Sequence, residues 1–139
     1  MDFRSDNVTG VCPEILAAII AANSGSAAAY GEDDWTVRTQ SAFADLFERD
    51  VAVFPVATGT AANALSLASL APVYGAIYAH EAAHITVDEC NAPEFYTGGA
   101  KVVPVTGTDG KIVASGLAQR LAGATPHGHH NAQPAAVSL

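Results

Sequence analysis

The chain has 139 residues, half of them apolar and 14% charged, which fits one ordinary globular domain and excludes a disordered composition. Its formal net charge is −8, and no cluster of Lys or Arg occurs, so we expect no nucleic-acid partner. No apolar run approaches the roughly 18 residues of a membrane span, and the polar opening MDFRSDNVTG does not read as a signal peptide. Two cysteines, Cys12 and Cys90, make no disulfide framework, so we expect a soluble cytoplasmic protein.

The first third of the chain predicts two helices after an extended opening. Apolar residues at helical spacing follow Pro13, which suits a first helical turn, and they predict a helix over residues 13–23. Residues 24–35 predict a loop that carries Tyr30, either as part of a turn or as a phenol presented to a pocket. A second helix is predicted over residues 36–48.

The most informative segment is VAVFPVATGTAANALSL, residues 51–67, because it predicts a strand, a turn and a helix in succession. The strand, over residues 51–56, is short, apolar and rich in β-branched side chains. Thr58, Gly59 and Thr60 then form a turn without bulk. Since the first N–H groups of a helix are unpaired and its dipole is positive there, the segment predicts a site for a phosphate group.

The helix after this turn is predicted to bury one stripe of small and apolar residues. Ala61, Ala64, Leu65 and Ala68 recur at the spacing of one helical face. Pro72 ends the helix because proline lacks the N–H group that the next turn would need. This stripe should face the core of the domain.

The second half of the chain predicts three more strands, over residues 75–79, 101–105 and 134–139. Ser115 is expected to cap a helix, and residues 123–133 read as a loop. Strands that alternate with helices predict an α/β fold with a mainly parallel sheet and flanking helices. Because the last strand would have nothing after it, we expect the chain to be part of a longer polypeptide.

A motif of zinc peptidases occurs at the end of the strand at residues 75–79. His80, Glu81 and His84 match H-E-x-x-H, in which two histidines on one helix hold Zn²⁺ and the glutamate acts as a general base. The residues before His80 read as a strand, so the two imidazoles need not share a helical face. A zinc-dependent hydrolase is therefore the alternative interpretation.

A second group of histidines lies in the loop near the end of the chain. His127, His129 and His130 stand among Gly and Pro residues, where a solvated loop is commoner than a metal site. His130 precedes the last predicted strand, and loops at strand edges commonly point side chains toward a site. We therefore retain His130 as a candidate site residue.

Four segments in this order resemble the low-specificity threonine aldolases, in the aromatic amino acid β-eliminating lyase/threonine aldolase family of enzymes that use pyridoxal 5′-phosphate (PLP). The segments are FRSDNVTG, AYGEDDWTV, ATGTAANALSL and HEAAHITVDECNAPEFYTGGAKVVPV, which together span nearly all of the chain. The resemblance implies a PLP-dependent transferase-like large domain of fold type I, the aspartate aminotransferase type. Residues 1–139 would be its N-terminal part, without the remainder of that domain and without the C-terminal small domain.

The resemblance also implies a set of residues that hold the cofactor. Thr58, Gly59 and Thr60, at the start of their helix, would bind the PLP phosphate. His84 would stack on the pyridine ring and orient it, as a catalytic and cofactor-binding residue. In this interpretation the H-E-x-x-H spelling is a coincidence, and no metal is expected.

The substrate would be a small amino acid, and the resemblance implies four residues for it. Ser5 would contact its carboxylate, Tyr30 would line its pocket, and Glu89 would be an acidic residue of the same pocket. His130 would be the catalytic histidine that reaches the substrate hydroxyl, because the reaction needs a base at that position.

The implied activity is the cleavage of L-threonine, L-allo-threonine and other β-hydroxy amino acids to glycine and an aldehyde, in a homodimer or homotetramer. The lysine that bonds to PLP, and the aspartate that pairs with its ring nitrogen, would lie beyond Leu139. Neither Lys101 nor Lys111 stands in a matching context. We therefore expect these residues alone to be inactive, and a non-catalytic piece that keeps the phosphate turn is a further alternative.

Overall fold

The structure is a computed structural model that describes residues 8–124 and 128–139. The described residues form helices α1 (Pro13–Ala22), α2 (Asp34–Phe47), α3 (Gly59–Leu70), α4 (His84–Val87), α5 (Ala92–Tyr96) and α6 (Ala114–Ala122), and strands β1 (Gly75–His80), β2 (Lys101–Val105) and β3 (Gln133–Val137). No helix within these residues is long and apolar enough to cross a membrane. Contacts divide the chain into two compact units, Met1–Phe54 and Pro55–Leu139, where the sequence predicted a single unit.

The N-terminal unit contains α1 and α2. The side chain of Asp33 caps α2, because its carboxylate accepts hydrogen bonds from the Thr36 N–H at 2.9 Å and from the Thr36 hydroxyl at 2.7 Å. These hydrogen bonds lower the pKa of Asp33, the one from the hydroxyl most. Helix α2 therefore begins at Asp34, two residues before its predicted start.

The strand predicted over residues 51–56 is wrong, because this segment pairs with no strand among the described residues. Its backbone is instead bonded by one side chain. The Gln40 amide donates to the Val51 carbonyl and accepts a hydrogen bond from the Val53 N–H at 3.1 Å. An apolar, β-branched run is insufficient to make a strand when a helix side chain supplies its hydrogen bonds.

The second unit is built on a parallel sheet in the order β2-β1-β3. Strands β1 and β2 pair in unbroken register, from Ala76 opposite Lys101 onward. The pairing of β1 with β3 is irregular, since Ala76 faces Pro134 whereas Ile77 faces Ala136. Proline cannot donate to the ladder, which accounts for an irregularity at this point. All three strands end at the same edge of the sheet.

Helices cover both faces of β1, whose residues are all buried. Ile77 on one face packs with Leu67 of α3 and Ile85 of α4. On the other face Tyr78 packs with Leu117 of α6. Burial on both faces is the usual condition of a central parallel strand. The predicted strands at residues 75–79 and 101–105 are confirmed, and with them the α/β fold with a mainly parallel sheet.

Two helix details differ from the sequence predictions. Helix α6 begins at Ala114 and its N-cap is Val113, without a side-chain cap, so Ser115 lies inside the helix. Helix α3 buries Ala64 and Leu67, whereas Leu65 is 51% exposed. The alanine-rich sequence of α3 gives two similar apolar stripes, and packing against β1 selects the one that contains Leu67.

We expect the truncation of Leu67 to alanine to lower the free energy of unfolding of this unit by about 2–5 kcal/mol, because it leaves a cavity beside Ile77. Leu65→Ala is the matched control on the same helix and should cost less than about 1 kcal/mol. Urea unfolding followed by circular dichroism measures both. Equal losses for the two variants would contradict the observed face of α3.

Candidate functional site

The start of α3 presents unpaired backbone donors. Thr58, in extended conformation, is the N-cap, and its Oγ1 accepts a hydrogen bond from the Ala61 N–H at 3.1 Å. The first main-chain bond of the helix runs from the Ala62 N–H to the Thr58 carbonyl at 3.1 Å. The N–H groups of Gly59 and Thr60 therefore have no acceptor among the described residues, and both are available to an anion.

Gly59 leaves open space in front of these donors. A Cβ built at Gly59 would meet no atom within 4 Å, and its φ lies outside the left-handed region. Neither packing nor backbone conformation in this chain therefore requires glycine at this position. A cavity of about 240 Å³ extends along the first turns of the helix, between Thr60 and Tyr96 of α5. The absence of a side chain at Gly59 suits the close approach of a bound group.

His84 begins α4, just beyond the carboxyl end of β1, and its side chain is 62% exposed. Its Nδ1 lies 2.8 Å from Oε1 of Glu89, and the same oxygen accepts a hydrogen bond from Nδ2 of Asn63 at 2.7 Å. The Glu89 side chain is fully buried. Its second oxygen, Oε2, is also buried and has no partner among the described residues. Glu89 thus lies behind His84 rather than on the surface of a pocket.

A cavity of about 570 Å³ lies at the carboxyl edge of the sheet, beside the exposed ring of His84. It is lined by His80, Ala83, His84, Gly110, Lys111, Ile112, Ser138 and Leu139. The carboxyl ends of parallel strands are where α/β proteins place their ligands. The position of this cavity therefore makes it the candidate site of the second unit.

The alternative of a zinc centre at His80 and His84 is contradicted by the geometry. Both nitrogens of the buried His80 ring are engaged, because Nδ1 accepts from the Ala82 N–H at 3.0 Å and Nε2 lies 3.1 Å from the Gly107 carbonyl. His84 begins a separate helix, so the two histidines do not share one helical face. Within residues 8–124 and 128–139, no group of three His, Cys, Asp or Glu side chains could hold a metal ion.

We expect the purified protein to carry no stoichiometric zinc and its unfolding midpoint to be unchanged by added zinc, since His80 has no free ring nitrogen. Elemental analysis and thermal unfolding with and without zinc measure this. His80→Gln should lower the unfolding temperature in the absence of metal, because the ring joins Ala82 to Gly107. Zinc-dependent stabilisation that His80→Gln abolishes would contradict the assignment.

Of the remaining predicted site residues, His130 belongs to the second unit but does not line this cavity. His130 lies in a short 3-10 turn before β3, at the amino end of the sheet, where it lines a separate cavity of about 320 Å³. His84 follows the carboxyl end of β1, which is parallel to β3, so the two histidines lie at opposite ends of the sheet. Ser5 lies outside the described residues. Tyr30 belongs to the N-terminal unit, fully exposed, with a left-handed φ of 62°.

Asn63 was not predicted as a site residue, and neither was the position of Glu89 beneath His84. The available signal for Asn63 is weak, since it is the one carboxamide in a helix otherwise made of small, apolar and hydroxyl-bearing residues. Asparagine is a poor residue for a helix interior, so its presence there calls for a partner. The partner, Glu89, is 26 residues away, and only the fold brings the two together.

Sequence comparison places the chain in a known family. The model of the beta-eliminating lyase family matches residues 2–139, so the chain belongs to that family. This confirms the family resemblance drawn from the four segments.

Individual relatives are threonine aldolases. The chain is 44% identical over 115 residues to the low specificity L-threonine aldolases of Pseudomonas sp. (strain NCIMB 10558) and of Pseudomonas aeruginosa, which covers 83% of the chain and 33% of each relative. A solved structure of the Leishmania major threonine aldolase matches 93% of the chain and 37% of its own length, with a TM-score of 0.83 and 26% identity. The fold is therefore that of PLP enzymes of fold type I. The chain spans about a third of the length of these relatives.

Proposed function

We propose that the protein to which this chain belongs binds PLP and cleaves L-threonine, L-allo-threonine and similar β-hydroxy amino acids to glycine and an aldehyde. Similarity to threonine aldolases supports the reaction class. The observation that carries the proposal is the hydrogen-bonded link from α3 to the exposed His84 at the carboxyl edge, through Asn63 and Glu89. That link joins the start of α3, which suits a phosphate group, to the imidazole of His84, which can stack on an aromatic ring.

The residues present fit PLP. The free N–H groups of Gly59 and Thr60, with the Thr58 hydroxyl as a further donor, suit a phosphate group. The exposed His84 ring is available to stack on a pyridine ring and limit its rotation. These donors are neutral, so the fit does not depend on a basic side chain in a chain whose net charge is −8.

Bound PLP would supply an electron sink that stabilises negative charge at the Cα of the amino acid. Breaking the Cα–Cβ bond also requires removal of the proton from the substrate hydroxyl. His84 lines the cavity at the carboxyl edge, and Nε2 is its ring nitrogen that is not bonded to Glu89. We propose that His84 both orients the ring and accepts this proton, whereas the resemblance gives the proton transfer to His130.

The other substrate roles remain proposals of the same kind. Ser5 would contact the substrate carboxylate and Tyr30 would line its pocket. Glu89 would act on the substrate through His84, because its own side chain is buried. We further propose a cytoplasmic homodimer or homotetramer, which the exposed apolar residues of α1, such as Ile19 at 55%, support.

Gly59→Ala separates phosphate binding from folding. Alanine is a better helix former than glycine by about 1 kcal/mol, so the variant should fold at least as well as the wild type. Its methyl group enters the space in front of the free N–H groups, and we expect PLP affinity to fall about tenfold or more, ~1.4 kcal/mol. Equilibrium titration of the chain with PLP, followed by absorbance, measures this.

Gly116→Ala is the matched control, because Gly116 also lies in a helix with open space at its Cβ position. It should leave PLP affinity unchanged. Pyridoxal without the phosphate should bind more weakly than PLP and should not distinguish Gly59→Ala from the wild type. Equal PLP affinity in the Gly59→Ala and Gly116→Ala variants would show that the start of α3 does not bind the phosphate.

His84 variants test the reaction in the protein that the complete reading frame encodes. His84→Phe keeps an aromatic face but no ring nitrogen, so it should retain PLP and lose about 10²–10⁴-fold in kcat for threonine cleavage. His84→Ala should also weaken PLP binding. Coupled assay of acetaldehyde release gives kcat and KM.

The same assay decides between the two histidines. If His130→Phe loses about 10²–10⁴-fold in kcat and His84→Phe does not, the proton acceptor is His130, as the resemblance implies. If neither variant changes the rate, the proposed acid–base role of these residues is wrong. A protein that binds PLP with no cleavage of any β-hydroxy amino acid would refute the proposed reaction.

A further inference from the structure

We propose that Asn63 and Glu89 are positioning residues that hold the His84 imidazole with its proton on Nδ1, so that Nε2 faces the cavity as a proton acceptor. The consequence for catalysis rests on the proposed function. The tautomer itself rests only on the contacts of this chain and can be measured without a cofactor.

The hydrogen bonds to Glu89 fix the direction of donation. The Asn63 amide donates to Oε1 of Glu89 at 2.7 Å, so this oxygen acts as an acceptor. Nδ1 of His84 lies 2.8 Å from the same oxygen. An ionised carboxylate has no proton to donate, so a ring nitrogen at this distance from it must carry the proton. A neutral imidazole has only one N–H, so Nε2 is left with a lone pair.

Burial makes this arrangement hard to replace. The Glu89 side chain is fully buried, whereas the His84 side chain is 62% exposed. A buried carboxylate that loses a hydrogen-bond donor is strongly destabilised. Oε2 already has no partner among the described residues, so the donors on Oε1 are the ones that stabilise the group. The exposed His84 ring is thus positioned by the Glu89 carboxylate, which is buried and cannot exchange this contact for water.

The backbone after Glu89 is shaped to turn this side chain inward. Cys90 and Asn91 both have left-handed conformations, with φ of 48° and 61°. Two consecutive non-glycine residues in this region are unfavourable and persist only where surrounding contacts fix them. Here they reverse the chain between α4 and α5 and leave Glu89 beneath α3.

Asn63 connects this support to the phosphate-binding turn. It lies four residues after Gly59, about one helical turn along α3. One buried oxygen therefore contacts both the helix whose first N–H groups face an anion and the ring of His84. The position of the imidazole is set relative to the phosphate turn by two side chains rather than by a loop.

His80 provides an internal reference with the opposite tautomer. Its Nδ1 accepts from the Ala82 N–H, so its proton is on Nε2, which donates to the Gly107 carbonyl. The same chain should thus contain one histidine of each neutral form. His80 also reports whether the fold around the carboxyl edge is intact.

Nitrogen-15 NMR of the histidine rings tests the proposal on this chain without ligand, at a pH where the ring protons show that both imidazoles are neutral. His84→Asn assigns the His84 signals. We expect a protonated Nδ1 and an unprotonated Nε2 for His84, and the reverse for His80. A wild-type His84 whose proton is mainly on Nε2 overturns the proposal, whatever any variant does.

Variants then test the cause. Glu89→Leu removes the acceptor, so the Nδ1–H form of His84 should change from the majority to the minority, whereas Glu89→Gln, which keeps a carbonyl oxygen, should retain it. Glu94→Leu is the matched control, because Glu94 is partly buried and, like Glu89, has an unpartnered Oε2. Asn63→Ala should give a proportion of Nδ1–H between those of the wild type and Glu89→Leu.

The outcomes are separable from folding and from the proposed function. A Glu89→Leu variant that keeps the His80 signals and the Nδ1–H form of His84 refutes the role of Glu89. An Asn63→Ala variant identical to the wild type removes Asn63 from the proposal. If Glu89→Leu also loses the His80 signals it has not folded, and the wild-type and Asn63→Ala spectra then decide. A correct tautomer in a protein without aldol cleavage would refute the proposed reaction and leave this inference intact.

Discussion

The buried carboxylate of Glu89 is the constraint on which the candidate site depends. Removing a charged or strongly polar group from water is unfavourable by several kcal/mol unless donors replace the lost solvent. In this chain the donors come from two separate elements, Asn63 on α3 and His84 at the start of α4. Both donors must reach the same oxygen, so the carboxylate fixes the distance between α3 and the start of α4. These two elements share no backbone hydrogen bond among the described residues.

The sheet sets the other half of the geometry. β1 is buried on both faces, so its direction is fixed by α3 and α4 on one side and α6 on the other. Its parallel partners end at the same edge, where His80 closes β1 and Ser138 follows β3. His80 uses both ring nitrogens to hold the backbone on either side of that edge. The two histidines of the HEAAH segment thus have different tasks, one structural and one exposed.

Local sequence patterns predicted the parts of this structure that depend on neighbouring residues, such as short apolar strands and a helix N-cap. The strands at residues 75–79 and 101–105 are apolar runs bounded by breakers, and Thr58 has the N-cap position at the turn. The choice between Leu65 and Leu67 could not be read from the sequence, because the alanine-rich helix offers two equivalent stripes. The strand at residues 51–56 failed for the opposite reason. Its composition was suitable, but Gln40 satisfies its backbone.

The candidate site divides in the same way. The proposed anion-binding helix start depends on consecutive residues, so its pattern is visible in the sequence. The support of His84 depends on Asn63 and Glu89, which are 26 residues apart, and no periodicity or spacing reports such a contact. The position of His130 in this chain follows from topology, and its catalytic role stays a prediction. A residue just before a parallel strand lies at the amino edge, whereas ligands of α/β folds meet the residues that follow strands.

The electrostatics of the chain are compatible with the proposed phosphate site, which uses backbone donors. With a formal net charge of −8, the chain as a whole does not attract an anion, and screening confines local attraction to about 10 Å at ordinary salt. Free N–H groups at Gly59 and Thr60 act within that range and need no counter-charge. A carboxylate as near as Glu89 would oppose a bound phosphate if it faced the same space. Glu89 is instead buried, and its Oε1 contacts Asn63 and Nδ1 of His84.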